Sequence, residues 1–423
     1  MRGGLTAVAA SPTPLAGMER LNAKDRPPVA VALSGGGDSL ALLLLAKTWA
    51  DGAGRRLIAL TVDHRLQPQS AAWSRFAADR AERLGVPHLS LAWLGEKPAS
   101  GLPAAARTAR HALLADAARS AGARVILMAH TADDVMEAEL MRRMGVSAPS
   151  PRLWSPSPAW PQGRGVFLLR PLLAHRRADL RTLLAGLGEA WIDDPANDDP
   201  RYSRTLARRR LGDCATTQPL LGPLSPPPGW EAVQEGRGGE LTLPRDALGV
   251  CLSDRRRLIG ALALCAAGTT RPPAGASLDR IAARLSGGDF SASLAGARIE
   301  AHGDQVMVCR EAGERARGGL QSAALPLGET VFDGRFLIGV RRSGYQVAPL
   351  RGLAARLPPS QRDRLRAIRA TVRGALPVVV APSGEVSCPV LASDDAVSAR
   401  PLGLGRLHAA LGVIADESGA VGG

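Results

Sequence analysis

The stretch "VALSGGGDSLALLLL", from Val31 to Leu45, places three glycines between two apolar runs. A strand that enters a glycine turn and leaves it as a helix directs backbone N–H groups at an anion, which glycine lets approach closely. Asp38 would repel bound phosphates unless a cation lay between them, so its presence predicts that it binds Mg²⁺. The alternative is that Asp38 only caps the helix. The predicted phosphate-binding residues are Ser34, Gly35, Gly36, Gly37, Asp38 and Ser39.

Apolar segments alternate with helix-like segments from Val29 to Leu187. The apolar segments show no polar alternation, which is typical of strands buried on both faces of a parallel sheet. We therefore predict a doubly wound α/β fold with a mostly parallel sheet and a smaller C-terminal accessory region of helices and short strands. The predicted strands are PVAVAL, LIALTV, HLSLAW, RVILMA and VFLLR.

The composition favours a polyanionic partner. Lysine and arginine number 53 against 39 aspartates and glutamates, giving a net charge of +14, and nucleic acid is the first candidate. The five cysteines form no Cys-x-x-Cys pair, which argues against a zinc or iron–sulfur site and suits a reducing compartment. The apolar runs are too short to span a bilayer. We expect a cytoplasmic protein with no membrane partner.

Changes in composition along the chain suggest domain boundaries. The proline-rich segment QPLLGPLSPPPGW is the strongest linker candidate, and short strand-like runs such as ETVFDGRFLIGV lie beyond it. The predicted divisions are a disordered leader (1–27), an α/β catalytic domain (28–215), a linker (216–228), a helical accessory domain (229–325), a small α+β domain (326–415) and a disordered tail (416–423).

Acidic and histidine residues follow two of the predicted strands. Asp63 and His64 come after LIALTV, and His130 comes after RVILMA. Ligands bind such folds beyond the carboxyl ends of the strands, so these residues should lie beside the glycine loop and contact the nucleotide. Asp134 and Glu137 lie three apart on the next predicted helix and point the same way. The alternatives are a turn or cap for the first pair and a helix-dipole role for the acids.

Two groups of arginines are candidates for binding phosphate. Arg107 and Arg110 lie three apart on a predicted helix, where they would stabilise negative charge developing on a phosphate; an exposed arginine face is the alternative. Five arginines lie between residues 201 and 210, a density that suits contact with a nucleic-acid backbone or a solvated basic helix. The nucleic-acid candidates are Arg201, Arg204, Arg208 and Arg209.

Together these segments resemble the tRNA(Ile)-lysidine synthetases, a family of PP-loop (N-type) ATP pyrophosphatases. SGGGDS resembles the family's SGGxDS loop, TVDHRLQPQS its V-D-H-G-L-R-x-x-S segment, and ARTARH its A-R-x-x-R-Y helix start. AHTADDVMEAEL resembles H-H-x-D-D-Q-x-E-T, and FLLRPLL contains the R-P-L-L motif. WIDDPANDDPRYSRTLARRRL resembles D-x-S-N-x-D-x-x-Y-x-R-N-x-x-R, the segment that separates this family from its relatives. The resemblance covers Val29 to about Leu211.

The resemblance implies ATP-dependent ligation of L-lysine to the wobble cytidine of tRNA(Ile) with a CAU anticodon, with ATP and Mg²⁺ as cofactors. It implies a fold of the adenine nucleotide alpha hydrolase type and a C-terminal domain that binds tRNA. Asp38, Arg107 and Arg110 would act on the phosphates, and Asp134 and Glu137 would orient cytidine or bind the lysine ammonium. Either acid could take the proton of the amine. The chain departs from the family pattern at Arg65, Gln67, Thr131, Val135 and Thr205.

Other functions stay open beside this one. A tRNA-thiolating PP-loop enzyme is one alternative, although such enzymes normally need a Cys-x-x-Cys pair. A non-catalytic tRNA-binding paralogue is another, and the departures from the family pattern motivate it. Asp38 argues against it, because a binding module has no need of Mg²⁺. The oligomeric state is open between a monomer and a homodimer.

Overall fold

The computed structural model describes residues 14–21, 27–146, 148–193, 206–207, 211, 225–314 and 320–422. The chain divides into two compact units. The first comprises Met1–Pro223 together with Ile414–Gly422, and the second comprises Leu224–Val413. Among the described helices, none is both long and apolar enough to cross a membrane.

The first unit is built on a six-stranded sheet in the order β3-β2-β1-β4-β6-β5. All neighbouring strands are parallel except β5, which runs antiparallel to β6. The strands are β1 (Val29–Ala32), β2 (Leu57–Asp63), β3 (His88–Ala92), β4 (Val125–Leu127), β5 (Trp154–Pro156) and β6 (Phe167–Leu169). The helices are α1 (Gly37–Ala53), α2 (Ser70–Arg83), α3 (Leu102–Ser120), α4 (Ala132–Arg143) and α5 (Arg177–Gly186). The predicted doubly wound α/β fold is confirmed.

The strand order places a crevice between β1 and β4. The chain builds outward from β1 to β3 on one side and from β4 to β6 on the other, so the connections diverge between these two neighbours. Ligands of doubly wound folds bind at this switch point, outside the carboxyl ends of the strands. The glycine loop follows β1 and the segment of His130 follows β4, so topology alone brings the two motifs together.

Both faces of the sheet are covered, which explains the uniformly apolar strands. Val29 and Val31 of β1 pack with Leu42 of α1 on one face. Ala30, between them, packs with Leu114 of α3 on the other face. Alternate residues of one strand therefore enter two different cores, and a polar residue at any of them would be buried without water.

The two ends of the chain contribute more to the first unit than expected. Within the predicted leader, Met18 and Leu21 are buried in the core cluster of α1. Within the predicted tail, Glu417 is fully buried and its carboxylate forms two contacts with the Arg55 guanidinium, at 3.0 and 2.9 Å. The Trp154 indole also donates to the Ile414 carbonyl at 2.8 Å. The described part of the tail is thus packed rather than disordered. The sequence did not indicate this, because the partners of the tail lie hundreds of positions earlier in the chain.

The described part of the second unit contains three antiparallel sheets. The largest has the order β7-β8-β11-β10-β9, and the others are β12-β15-β16-β17 and β13-β14-β18. The strands are β7 (Gln234–Glu235), β8 (Leu241–Pro244), β9 (Phe290–Leu294), β10 (Ala297–His302), β11 (Gln305–Arg310), β12 (Ala323–Ala324), β13 (Gly328–Phe332), β14 (Phe336–Val340), β15 (Gln346–Pro349), β16 (Pro377–Val380), β17 (Val386–Ser387) and β18 (Val397–Pro401). The helices are α6 (Leu252–Ala266), α7 (Gly275–Arg284), α8 (Pro359–Arg366), α9 (Ala370–Arg373) and α10 (Gly403–Leu411).

The predicted boundary between 325 and 326 does not separate two cores. Leu407 and Leu411 of α10, near the end of the second unit, are buried with Leu258 and Leu262 of α6. A helix from the later segment therefore completes the core of the earlier one. The earlier segment is also less helical than expected, since six strands accompany its two α-helices among the described residues. Most of the predicted linker lies outside the described residues, which resume at 225.

Candidate active site

The glycine loop is held in one conformation by its own serines and by a neighbouring segment. The Ser34 and Ser39 hydroxyls lie 3.0 Å apart, and the Ser39 hydroxyl donates to the Gly36 carbonyl at 2.9 Å. Gly35 has φ +84°, and a Cβ there would lie 2.7 Å from Cδ1 of Ile192. The Ile192 N–H donates to the Gly35 carbonyl at 3.0 Å. The positive φ therefore favours glycine at 35, and a side chain there would also have to displace the end of Ile192.

Asp38 lies in the first turn of α1, where the helix dipole favours an acid. Its Oδ2 accepts a hydrogen bond from Nε of Arg177 at 3.0 Å. Its Oδ1 is buried and has no hydrogen-bond partner among the described residues. Burial raises the pKa of Asp38, and the charge of Arg177 opposes that shift. One carboxylate oxygen is thus paired, and the other is desolvated and still able to bind a cation.

Asp134 and Glu137 begin α4, next to this loop. Asp134 accepts a hydrogen bond from the Thr131 N–H at 2.7 Å, so Thr131 and Asp134 together cap the helix. The other oxygen of Asp134 lies 3.6 Å from the Arg177 guanidinium, and Glu137, only 1% exposed, lies 3.4 Å from it. The structure therefore brings three predicted site residues, Asp38, Asp134 and Glu137, around one arginine. We call these three carboxylates the acidic cluster.

Arg177 is a site residue that the sequence patterns did not single out. Burial alone would lower the pKa of its guanidinium, but Asp134, Asp38 and Glu137 raise it overall. One signal was available in the sequence. Arg177 is the first residue of α5, and a helix N-terminus disfavours a cation, so an arginine there needs an acidic partner nearby.

A second acid fixes the start of α5. Asp133 accepts hydrogen bonds from the Arg177 N–H at 2.8 Å and from Nε of Arg176 at 3.3 Å. Burial alone would raise the pKa of Asp133, but these donors hold it below its ordinary value. Asp133 thus anchors the backbone of Arg177, while the acidic cluster binds its side chain.

Arg107 and Arg110 lie on α3 together with His111, and Arg170 follows β6. His111 and Arg170 were not among the predicted site residues. His111 is 3% exposed; burial first, then the charges of Arg110, Arg107 and Arg170, lower its pKa to about 2. Burial and the charges of Arg107 and Arg152 lower the pKa of Arg170 to about 10. We call Arg107, Arg110, Arg170 and His111 the basic cluster. The charges of His130 and Asp134 also act on it, which places the basic cluster close to the acidic one.

Asp63 and His64 lie at the carboxyl end of β2, as predicted from their place after the strand. Oδ1 of Asp63 accepts a hydrogen bond from the Arg65 N–H at 2.8 Å, which makes Asp63 the cap of a turn. His64 meets the edge of Trp93 with 6.1 Å between ring centroids. Burial and the charge of Arg110 lower the pKa of His64. A neutral imidazole there can accept or donate one hydrogen bond to a nucleotide.

The departure from the family glycine at Arg65 has a structural consequence. Arg65 adopts φ +53°, in the left-handed region that glycine enters without steric cost. Here a side chain occupies that conformation. The predicted nucleic-acid candidates Arg201, Arg204, Arg208 and Arg209 lie outside the described residues, as does the departure at Thr205.

Comparison with known proteins identifies the family of this chain. A family model for a PP-loop domain matches residues 15–214. A tRNA(Ile)-lysidine synthase from Caulobacter vibrioides is 47% identical over 410 residues, covering 94% of this chain and 97% of that protein. Similar proteins of the same name from Hyphomonas neptunium and Mesorhizobium japonicum are 38% and 33% identical. The first match covers 68% of this chain and 82% of that protein, and the second covers 87% of each. This chain belongs to the tRNA(Ile)-lysidine synthase family.

Proposed function

We propose that this protein ligates free L-lysine to C2 of the wobble cytidine of tRNA(Ile) with a CAU anticodon, using ATP and releasing AMP and pyrophosphate. The observation that carries the proposal is that one guanidinium, Arg177, joins Asp38 of the glycine loop to Asp134 and Glu137. The glycine loop proposed to bind phosphate and the two acids proposed to bind a cationic substrate therefore meet at one side chain. Family membership over nearly the whole chain supports the same function.

The first step needs an anion site and a way to stabilise a leaving pyrophosphate. The cytidine O2 attacks the α-phosphorus of ATP, and the bond from this phosphorus to the bridging oxygen of pyrophosphate breaks. Ser34, Ser39 and the backbone N–H groups of the loop would hold the phosphates. Arg107 and Arg110 would stabilise the charge that develops as pyrophosphate departs, since guanidiniums match phosphate oxygens geometrically.

The second step needs a neutral amine. The ε-nitrogen of lysine attacks C2, the bond from C2 to O2 breaks, and AMP leaves. Lysine reaches the site as an ammonium ion, for which the mostly buried carboxylates of Asp134 and Glu137 offer charge complementarity. One of these carboxylates would take the proton that the amine must lose.

Mg²⁺ fits the residues at the loop. Among the described residues, no group of three His, Cys, Asp or Glu side chains is arranged to hold a metal ion. The chain instead offers Oδ1 of Asp38, which is buried and has no described hydrogen-bond partner. One or two carboxylates completed by substrate phosphates is the usual Mg²⁺ environment in nucleotide sites. When bound, the ion would neutralise charge on the pyrophosphate oxygens.

Contact with tRNA is proposed for the basic residues after the α/β core. The net charge of +14 and the arginines at 201, 204, 208 and 209 suit a phosphate backbone. If these arginines contact phosphates, the affinity for tRNA will fall steeply as salt rises, with the slope reduced by about one for each arginine changed to glutamine. We place the reaction in the cytoplasm, where tRNA, ATP and lysine occur together.

The decisive experiment is direct detection of the product. The protein is incubated with isotope-labelled lysine, Mg·ATP and a tRNA(Ile) transcript with a CAU anticodon, and the RNA is digested to nucleosides for mass spectrometry. We expect a labelled lysine–cytidine nucleoside that depends on ATP. The matched control transcript carries uridine at the wobble position and should give none. A protein that binds both ATP and the transcript but forms no labelled nucleoside would refute the proposal.

A further inference from the structure

Arg177 is one cation shared between three carboxylates. Its Nε contacts Asp38 at 3.0 Å, and its two terminal nitrogens lie 3.6 Å from Asp134 and 3.4 Å from Glu137. A single guanidinium has five N–H donors in a planar fork, so it can serve several acceptors together.

The backbone of Arg177 is fixed independently of these contacts. The Arg177 N–H donates to Asp133 at 2.8 Å, and Asp133 also binds Arg176. The side chain can therefore leave the acidic cluster while the start of α5 stays in place. This arrangement separates an anchored main chain from a movable guanidinium.

The reaction brings two cations to the carboxylates that Arg177 contacts. If the proposed function holds, Mg²⁺ comes to Asp38 with the nucleotide, and the lysine ammonium comes to Asp134 and Glu137. A cation added at Oδ1 of Asp38, or at Asp134 and Glu137, would be repelled by the guanidinium, which contacts the same three carboxylates at these short distances. The three ions therefore compete for one set of carboxylates.

We propose that Arg177 is a positioning residue that holds the acidic cluster together before substrates bind and is displaced from Asp38 when Mg²⁺ arrives with ATP. This inference rests on the proposed function for the identity of the incoming cations. It gives the site an order: the guanidinium moves off Asp38 first, and its release from Asp134 and Glu137 makes room for the ammonium.

The test measures the benefit of metal to nucleotide binding, without tRNA and without lysine. Isothermal calorimetry gives the Kd of ATP in EDTA and the Kd of Mg·ATP, and the first divided by the second is the metal advantage. Taking this ratio removes any effect of Arg177 that is equal for ATP and Mg·ATP. Competition predicts that Arg177→Gln increases the metal advantage by about tenfold, the size expected from about 1.4 kcal/mol of relieved competition.

Two further variants make the result specific. Arg181→Gln removes a nearby charge on the same helix whose field acts on Asp38, although Arg181 pairs with Asp193 instead. It should change the metal advantage less than about twofold, because screened charges without contact act weakly. Arg177→Lys keeps the charge but loses the fork, so its metal advantage should fall between those of the wild type and Arg177→Gln.

The sign of the change decides the outcome. An unchanged or lower metal advantage in Arg177→Gln, or an equal rise in Arg181→Gln, overturns the proposal. If Arg177→Gln does not fold, Arg177→Lys decides by the same criterion against Arg181→Gln. Because tRNA and lysine are absent, a failure to form lysine–cytidine with the wild type would refute the proposed function without altering this measurement.

Discussion

Two arginines in the same α/β unit meet carboxylates in opposite ways. Arg55 is 1% exposed and makes a two-point pair with Glu417, at 3.0 and 2.9 Å, with the Pro27 carbonyl as a third acceptor. Arg177 is 18% exposed and spreads its contacts over three acids at 3.0 to 3.6 Å. The first pair, called the closed pair, is fully buried, whereas the second, the open arrangement, shares one guanidinium among three carboxylates and is partly exposed. Breaking a fully buried ion pair destabilises a fold, whereas partly exposed charged groups can still contact a ligand.

The largest effect should come from Asp38, which the open arrangement makes available to a metal ion. Asp38→Asn keeps the shape but removes the charge, so lysine–cytidine formation should fall by about a thousandfold or more. The fold and the tRNA affinity should be retained. Initial rates of labelled-lysine incorporation and a tRNA-binding titration measure both.

The matched control for Asp38 is Asp51→Asn, on the exposed end of the same helix, where Asp51 pairs with Lys47. It should react at the wild-type rate. If the Asp38 variant turns over within tenfold of the wild type, the glycine loop has no metal-dependent role.

The closed pair should show the largest effect on stability. Glu417→Gln leaves the Arg55 guanidinium buried without its counter-charge, which should lower the free energy of unfolding of the first unit by about 3 kcal/mol. Hydrogen exchange of the β1 amides across a urea series follows this unit separately from the second.

The control for the closed pair is Glu139→Gln, since Glu139 forms exposed pairs with Arg142 and Arg143 on α4. It should cost less than about 0.5 kcal/mol. Equal stability losses in the two variants would show that burial does not distinguish Glu417. If folded Glu417→Gln protein forms product at the wild-type rate, the closed pair affects stability but not the reaction, in contrast to the acidic cluster.

His111 differs from both Arg55 and Arg177, because it is a buried ionisable group that stays neutral. Its folded pKa of about 2 lies below its ordinary value of 6.5. The unfolded chain therefore binds a proton below pH 6.5 that the folded chain does not bind. The stabilising contribution is complete above that pH and is lost as the pH falls toward 2, by about 1.4 kcal/mol per pH unit.

His111→Gln should remove this pH dependence, so the stabilities of wild type and variant should converge or cross as the solution is acidified. Urea unfolding of both proteins at several pH values between about 7 and 5 measures the difference in slope. Parallel slopes would mean that His111 is protonated in the folded state, and the basic cluster would then be less repulsive than the structure implies.

The smallest effect concerns the strained turn at the rim. Arg65→Gly should stabilise the protein by about 0.5 kcal/mol, because relief of the left-handed conformation outweighs the greater freedom of glycine in the unfolded chain. Leu66→Gly, the adjacent control, has no such strain to relieve and should destabilise. Unfolding free energies of the two variants in one buffer give the comparison, and a loss of stability in both would show that Arg65 makes compensating contacts.

The local patterns predicted the fold of the first unit because each depends on neighbours in sequence. Apolar strands, the glycine turn and the acidic helix start are all encoded within a few residues, and the parallel topology then forces their carboxyl ends together. The prediction of a packed α/β core from Val29 onward followed from this regularity. The same reasoning could not divide the second unit, because Leu407 enters a core formed some 150 residues earlier, beside Leu258.

The sequence by itself determined which chemistry the site could hold: a glycine loop with Asp38, two acids one helical turn apart and two arginines on one helix face. Only the tertiary structure decided how the charges are balanced. Arg177 is 139 positions from Asp38, and Glu417 is 362 positions from Arg55, so no local pattern connects them. Electrostatic pairing depends on distance in space, and that distance exists only after the sheet has brought its strand ends together and the chain's end has packed against its beginning.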